Sequence, residues 1–287
     1  MLEVLEVNFN VENVEYYLAI GLDFAVPPSP LPENSDPSKW KERLEEFLNE
    51  PEDPVPIITL RKSLPSASRP VFARGIDKKE YVIKGQQAGR QVINDQIVAR
   101  LGQALGAPVA EPRIVEISAE LLELGPAFDY LKPGTAHGVV FIPDCSDDRE
   151  YIKYTQEPRN RSKFALLAVL YGWVYAQDHQ LIYTKKMPHD VFSVDHGFFF
   201  YLGPNWSIQS LAKAPPANLD SQIANKAKFT PEELQPAFGA LASINEEMIV
   251  KAIASVPLDW EITIEERIAL IGYLLRRQEE LLGSFRA

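Results

Sequence analysis

Apolar positions fall into two textures along the 287-residue chain. In "SDPSKWKERLEEFLNE" an apolar stripe of Trp40, Leu44, Phe47 and Leu48 recurs at helical spacing. Asp36 suits the cap and Pro37 the first turn, and "PEDPVP" ends the helix. Beyond Ile57 the spacing shortens. "PIITL" and "PVFARG" read as strands joined by a polar loop, "RKSLPSAS". A turn at Asp77–Lys79 leads to a strand over Tyr81–Lys84, completing an antiparallel meander. Helical spacing returns in "NDQIVARLGQALGAP", with Ile97, Leu101, Ala104 and Leu105 on one face and Gly106 and Pro108 as its stop. "RIVEIS" and "GVVFI" are further strands, around a helical or irregular "AELLELGPAFDYL".

The second half is mainly helical. "RSKFALLAVLYGWVYAQ" predicts a buried helix with Phe164, Leu167, Leu170, Tyr171 and Val174 on one side, running straight into Asp178. "VFSVD" and "FFFYL" predict short strands around "HG", and three helices follow near 231–242, 246–255 and 264–285. Before the first strand the pattern is weak. Val14–Val26 could be a strand pair or a short helix, and Pro27, Pro28, Pro30 and Pro32 make a linker or extended arm. The pattern divides the chain into an appendage and linker (1–56), a strand-rich lobe (57–144) and a helical lobe (145–287). The appendage helix docks on the body or receives a partner.

Composition narrows the function classes. A net charge of -11 argues against broad nucleic-acid binding, although a local basic patch stays open. One cysteine, Cys145, leaves no internal disulfide and fits a reducing compartment. No signal peptide is read at the start, and no apolar run reaches the roughly 18 residues of a membrane span. A cytoplasmic location is the expectation.

Strands first and helices second, with a lysine ending a strand and an aspartate ending a buried helix, is the arrangement of a kinase-type phosphotransferase. That chemistry needs positive charge on nucleotide phosphates, a divalent ion across them and a carboxylate near the incoming hydroxyl. Lys84 can reach phosphate oxygens from its strand, and Asp95 or Gln96 on the next helix could hold it in place. Asp178 can accept a proton from a hydroxyl. Asp195 follows an apolar strand, where a carboxylate is a natural magnesium ligand. Ser66 and Ser68 could donate to phosphate from a loop that lacks glycine. Each has a plainer reading: a solvated edge lysine, a loop aspartate, a turn aspartate before glycine.

The stretches "EYVIKG", "NDQIVARLGQALGAPV", "AHGVVF", "QDHQ", "VFSVDHGFFF" and "VPLDWEITIEERIALIGYLLRRQEEL" together resemble the HipA-like kinases. These are relatives of the bacterial HipA toxin kinase and, more distantly, of the phosphatidylinositol kinases. The resemblance implies an α+β, two-lobed protein-kinase-like fold with an antiparallel-sheet N-lobe and a mainly helical C-lobe. It implies ATP and Mg2+ as cofactors and a protein serine or threonine as substrate. Lys84 would contact ATP phosphates, Asp178 would be the catalytic base, and Asp195 of "DHG" would hold magnesium as the aspartate of a kinase "DFG" does. The asparagine that usually follows the base as second metal ligand is replaced by Tyr183, and Gln180 is the candidate substitute. A catalytically impaired nucleotide or partner binder is therefore an alternative.

Three of the four histidines lie beside aspartates, at Asp178–His179, His189–Asp190 and Asp195–His196. A metal-dependent phosphohydrolase uses such pairs. Pro188 before His189 and the apolar strand after it favour a turn there instead, with only His137 left to complete a cluster. No "HExxH", "GxxxxGK", "GxGxxG" or "GxSxG" motif is present.

Overall fold

The computed structural model describes residues 36–147 and 152–286. The expectations for Val14–Val26 and the Pro27–Pro32 stretch lie outside the described residues.

The first described element is helix α1 (Pro37–Leu48). The Asp36 carboxylate accepts from the Ser38 amide at its N-terminus and Pro37 starts the first turn, the signals read in the sequence. Trp40 and Leu44 are buried, and the helix lies against α8 (Glu246–Ala254) and α9 (Ile264–Arg286). Trp40 and Leu44 of its apolar stripe are thus covered by the body of the molecule, and Phe47 and Leu48 are half-buried.

Five strands follow: β1 (Val55–Ser63), β2 (Val71–Gly75), β3 (Glu80–Lys84), β4 (Pro112–Ile117) and β5 (Gly134–Val140). β1 takes up Arg61–Ser63, so the polar loop is shorter than read and begins at Leu64. Four pairings are antiparallel, but β1 and β4 run parallel, with Val55 opposite Val115, and close the sheet into a barrel. The expected antiparallel meander is present as β1–β2–β3, and the parallel β1–β4 pair adds a closure that the strand pattern did not include. A closed sheet has no free edge to leave unpaired, and bulges in β1 provide the curvature. Ile57, Val71, Ala73, Tyr81, Ile83, Val115 and Ala136 form the core of the barrel. Between β3 and β4 runs helix α2 (Gln91–Leu105), which ends in a left-handed Gly106. Between β4 and β5 lie a short helix, α3 (Ala119–Leu124), and a single 3-10 turn.

The larger core belongs to the helices. Helix α4 (Pro158–Val174) is buried on every side over its last three turns, Ala165, Ala168, Val169 and Trp173 included, rather than along one face. Such a helix shows no amphipathic period because it has no solvent side. Around it pack α6 (Ser221–Ala227), α7 (Pro231–Ser243) and α9, and α5 (Ile208–Ala212) packs on α9. A three-stranded sheet of β6 (Cys145–Asp147), β7 (Leu181–Thr184) and β8 (Val191–Ser193) lies beside it. The strand expected over "FFFYL" is absent. Phe199 and Phe200 are buried in consecutive turns, with a single bridge from Phe199 to Ala176. Among the described residues, no helix is long and apolar enough to cross a membrane.

Candidate functional site

Lys84 ends β3, and its ammonium points inward, leaving the residue 6% exposed. Burying a charge is costly unless it is paired. Here it is paired twice: Nζ donates to Asp95 Oδ2 on α2 at 2.8 Å and to Asp195 Oδ1 beyond β8. Burial opposes the charge, but the two carboxylates outweigh it, and the Lys84 pKa is raised above its ordinary value. Aspartate is long enough for this pairing, because α2 packs across the neighbouring strands β4 and β5. Gln96, the other residue considered for holding Lys84, turns away. Its Oε1 meets His137 Nδ1 at 2.9 Å and its Nε2 donates to Ser255 Oγ at 3.2 Å.

Asp95 does a second job. Its Oδ1 accepts the backbone N–H of His196 at 2.6 Å, fastening the "DHG" turn to α2. Asn94, which the sequence reading passed over, reinforces this. Its Nδ2 donates to the carbonyls of Gly197 and Phe199, both at 2.8 Å, and its Oδ1 accepts from Trp206 Nε1 at 2.9 Å. Fully buried asparagine on an otherwise apolar helix face is the signal that could have found it. A Cβ on Gly197 would stand 2.8 Å from Gln91 Cβ, so glycine permits the close approach of this turn to the helix. Asp195 itself takes a left-handed conformation, φ 59°, which aspartate tolerates better than most residues.

His196 is an internal fastener. Its Nε2 lies 2.7 Å from Ser193 Oγ, which in turn lies 2.7 Å from Tyr171 OH. Burial pushes its pKa down to about 4, so the ring is neutral near pH 7. His137 is likewise pushed well below the usual histidine range by burial, with Lys84 adding to the effect.

Asp178 stands four residues beyond the end of α4 and is exposed. The helix end before it is clamped from α9. Arg277 donates from Nε to the Trp173 carbonyl at 2.6 Å and from Nη2 to the Gly172 carbonyl at 2.7 Å, and Tyr273 OH donates to the Val174 carbonyl at 3.3 Å. These are the carbonyls a helix leaves without internal partners. On the other side of Asp178, His179 Nε2 meets Asp220 Oδ2 at 2.8 Å, and the remaining oxygen of Asp220 caps α6. The loop around Asp178 is therefore tied at both ends.

Asp178, Gln180, Asp195, Ser66 and Ser68 line one cavity of about 160 Å³, together with Gln91, Ala67 and Phe198. The two serine hydroxyls are 3.2 Å apart and form its roof, and Gln87 Nε2 holds the roof by donating to the Ser68 carbonyl at 3.1 Å. Every residue singled out for this chemistry lies either on the cavity or, for Lys84 and Asp95, directly behind Asp195. The set fits a magnesium-bound polyphosphate. Carboxylate and amide oxygens are hard donors suited to Mg2+, which takes one or two carboxylates and leaves other positions for phosphate and water. A lysine ammonium and serine hydroxyls are donors of the kind that phosphate oxygens accept from.

The other carboxylate–imidazole pairs are structural. His189 has positive φ in the β7–β8 turn, stacks on Tyr154 with centroids 4.3 Å apart, and its Nδ1 lies 2.9 Å from the Thr184 carbonyl. Asp190 pairs with Lys163. Among the described residues, no group of three or more His, Cys, Asp or Glu side chains is placed to hold a metal ion. Tyr183 is fully buried, with its hydroxyl accepting from the Lys153 amide, and does not face the cavity.

Residues 57–187 match the family model described as HipA-like kinase. The resemblance read from the sequence is thereby shown. The match spans the barrel from Ile57 onward, Lys84, Asp178 beyond the end of α4, and β7, and stops short of Asp195. No curated protein matches the chain. Among solved structures, the Helicobacter pylori proinflammatory kinase CtkA aligns over 80% of this chain and 94% of its own, at 10% identity and a TM-score of 0.50. At that identity the likeness speaks for the fold alone, which is mixed α+β and kinase-like. The HipA of Shewanella oneidensis, solved with HipB and operator DNA, aligns over 98% of this chain and 81% of its own, at 15% identity and a TM-score of 0.43. A Golgi casein kinase solved with Mn and ADP aligns over 98% and 88%, at 12% identity and a TM-score of 0.45.

Proposed function

We propose that this protein is a two-lobed, ATP-dependent kinase that transfers the γ-phosphoryl group to a hydroxyl, a protein serine or threonine by family analogy. The observation that carries the reading is the buried Lys84–Asp95–Asp195 cluster behind a cavity that Asp178, Gln180 and two serines also line. Five chain segments, spread from Ser66 to Asp195, converge there, and their chemistry is the set phosphoryl transfer needs.

In this reading the barrel (57–144) is one lobe, residues 145–287 are the other, and the nucleotide lies between them. Lys84 carries positive charge to the phosphates and Asp95 holds it in register. Ser66 and Ser68 donate to phosphate oxygens from the roof. Asp178, exposed at the mouth, accepts the proton of the incoming hydroxyl, and its exposure suits a macromolecular acceptor. Asp195 and the Gln180 amide would hold the divalent ion. Bound Mg2+ would neutralise charge on the phosphates and leave the transferred group open to attack. The ammonium of Lys84 pairs with Asp195; phosphate oxygens would compete for that ammonium, and Asp195 would then be able to hold the metal. The protein works in the cytoplasm in this account.

A second reading is a nucleotide binder without turnover. It is favoured by one observation, the burial of Tyr183 where a second metal ligand is usual, which leaves that role to Gln180 on the cavity. Incubation with γ-labelled ATP and cell extract separates the two. Label entering one extract protein with wild type, and not with Asp195→Asn, supports the kinase. Label transfer by Asp195→Asn at the wild-type rate sinks the assignment. Binding of an ATP analogue with no transfer under any condition selects the second reading.

A further inference from the structure

A second cavity, of about 680 Å³, shares no lining residue with the first. It lies on the opposite side of α2, where three parts of the molecule meet. The end of α1 and the segment to Pro54 form one wall, and the end of α8 with the turn to Asp259 forms the other. The floor is Arg100 and Ala104 of α2 with Ile114 of β4 and Thr135 of β5. Junctions between packed units are where small-molecule sites concentrate, and drug-sized ligands occupy pockets of roughly 300–1,000 Å³.

The interior is apolar: Phe47, Leu48, Ile114 and Val256 face it, with Met248 and Leu258 exposed at the mouth. The rim carries charge of one prevailing sign. Arg100 and Arg113 both pair with Glu52 and close off that carboxylate. Glu50, Asp53 and Asp259 remain at the mouth as exposed carboxylates, against the single exposed ammonium of Lys251. Asp259 is held in place by Thr135 Oγ1, which donates to it at 2.9 Å. An apolar chamber under a mouth of fixed negative charge selects a ligand with an apolar body and a cationic end.

The geometry points to this cavity as a second ligand site, distinct from the nucleotide cavity, for a small hydrophobic amine. The chamber takes the apolar body, and the Asp259, Glu50 and Asp53 carboxylates take the ammonium. Ser255 in its wall accepts from Gln96, the neighbour of Asp95 and the partner of His137, so the site adjoins the back of the helix that holds Lys84.

The test is a calorimetric titration of the full chain with tryptamine, and separately with indoleacetate, which has a similar ring and the opposite charge. The same titrations are repeated on Ala104→Trp, an exposed helical position whose new ring fills the chamber without entering the core. Tryptamine is expected to bind wild type at least about tenfold more tightly than indoleacetate and to lose binding in Ala104→Trp. Failure of tryptamine to bind overturns the proposal, as does equal binding of the two probes. So does tryptamine binding that Ala104→Trp leaves unchanged while its thermal melt stays cooperative. If that variant does not fold, Asp259→Lys provides the same reading, with a loss of tryptamine affinity expected and an unchanged affinity overturning the site. The titrations contain no nucleotide, so their outcome is independent of the phosphotransfer reading.

Discussion

The Lys84 ammonium and the Asp95 carboxylate meet at 2.8 Å with side chains only 7% and 2% exposed. A pair this deep contributes little net stability, but removal of one member strands the other charge in a dry site. Lys84→Ala should therefore destabilise the fold by about 3–5 kcal/mol, read as a shift in the urea unfolding midpoint. The double variant Lys84→Met with Asp95→Asn, which removes both charges and keeps an acceptor for the His196 amide, should cost less than Lys84→Ala alone. A larger cost for the double variant would show that the pair is not what the site depends on. Binding of an ATP analogue should fall in both variants.

Asp178 and Asp195 line one cavity but differ in what surrounds them, and the proposed roles predict different kinetics. Asp178→Asn should lower kcat by about 10²–10⁴-fold while leaving nucleotide affinity close to wild type, because a general base contributes to the transition state rather than to binding. Asp195→Asn should remove turnover and also abolish the magnesium dependence of nucleotide binding. Steady-state rates and analogue binding with and without Mg2+ distinguish these patterns.

The buried neutral histidines make stability depend on acid. His196 has a folded pKa of about 4 against 6.5 when free, so the unfolded chain binds more protons between those values. Its contribution is complete above pH 6.5 and is lost as pH falls through the window to about 4. The size is about 3 kcal/mol, and His137 acts in the same direction. Unfolding free energy measured from pH 7 to pH 4 should fall steeply, and His196→Gln should flatten the slope while lowering stability at pH 7. An unchanged slope in that variant would place the acid sensitivity elsewhere.

Gly172 is fixed by its neighbours rather than by its backbone conformation. A Cβ there would lie 2.1 Å from the Asn218 carbonyl oxygen, in the segment leading to the Asp220 that holds His179. Gly172→Ala should cost at least about 1–3 kcal/mol, since a backbone carbonyl cannot rotate away as a side chain can. It should also loosen the Asp178 loop, lowering kcat more than analogue affinity. Thermal melts and the kcat comparison together check this.

Local chemistry was enough to announce most of the helices. Asp36 and Pro37 open α1, Gly106 closes α2, and the last three helices fall within a residue or two of their expected limits. These signals act between residues a turn apart, so they are legible in the chain itself. The same holds for the chemical types at the site, since Lys84, Asp178 and Asp195 stand at element ends where only backbone geometry has to be supplied. "FFFYL" was misread because an apolar run satisfies a buried turn as well as a strand, and hydrophobicity alone does not choose between them.

Contacts between distant segments lay beyond that kind of reading. The parallel β1–β4 pairing that closes the barrel joins residues about sixty positions apart, and nothing in either strand names its partner. The choice of Asp95 over Gln96 as the partner of Lys84 depends on how α2 is rotated over the sheet, and one residue of rotation separates the two. Asn94, Arg277 and Gly172 matter through the backbone groups they meet, all supplied by segments more than forty residues away. Side-chain identity set which reactions were conceivable for this molecule. Packing of the helices against the barrel, a free-energy balance summed over the whole core, set which of those side chains stand within reach of one another.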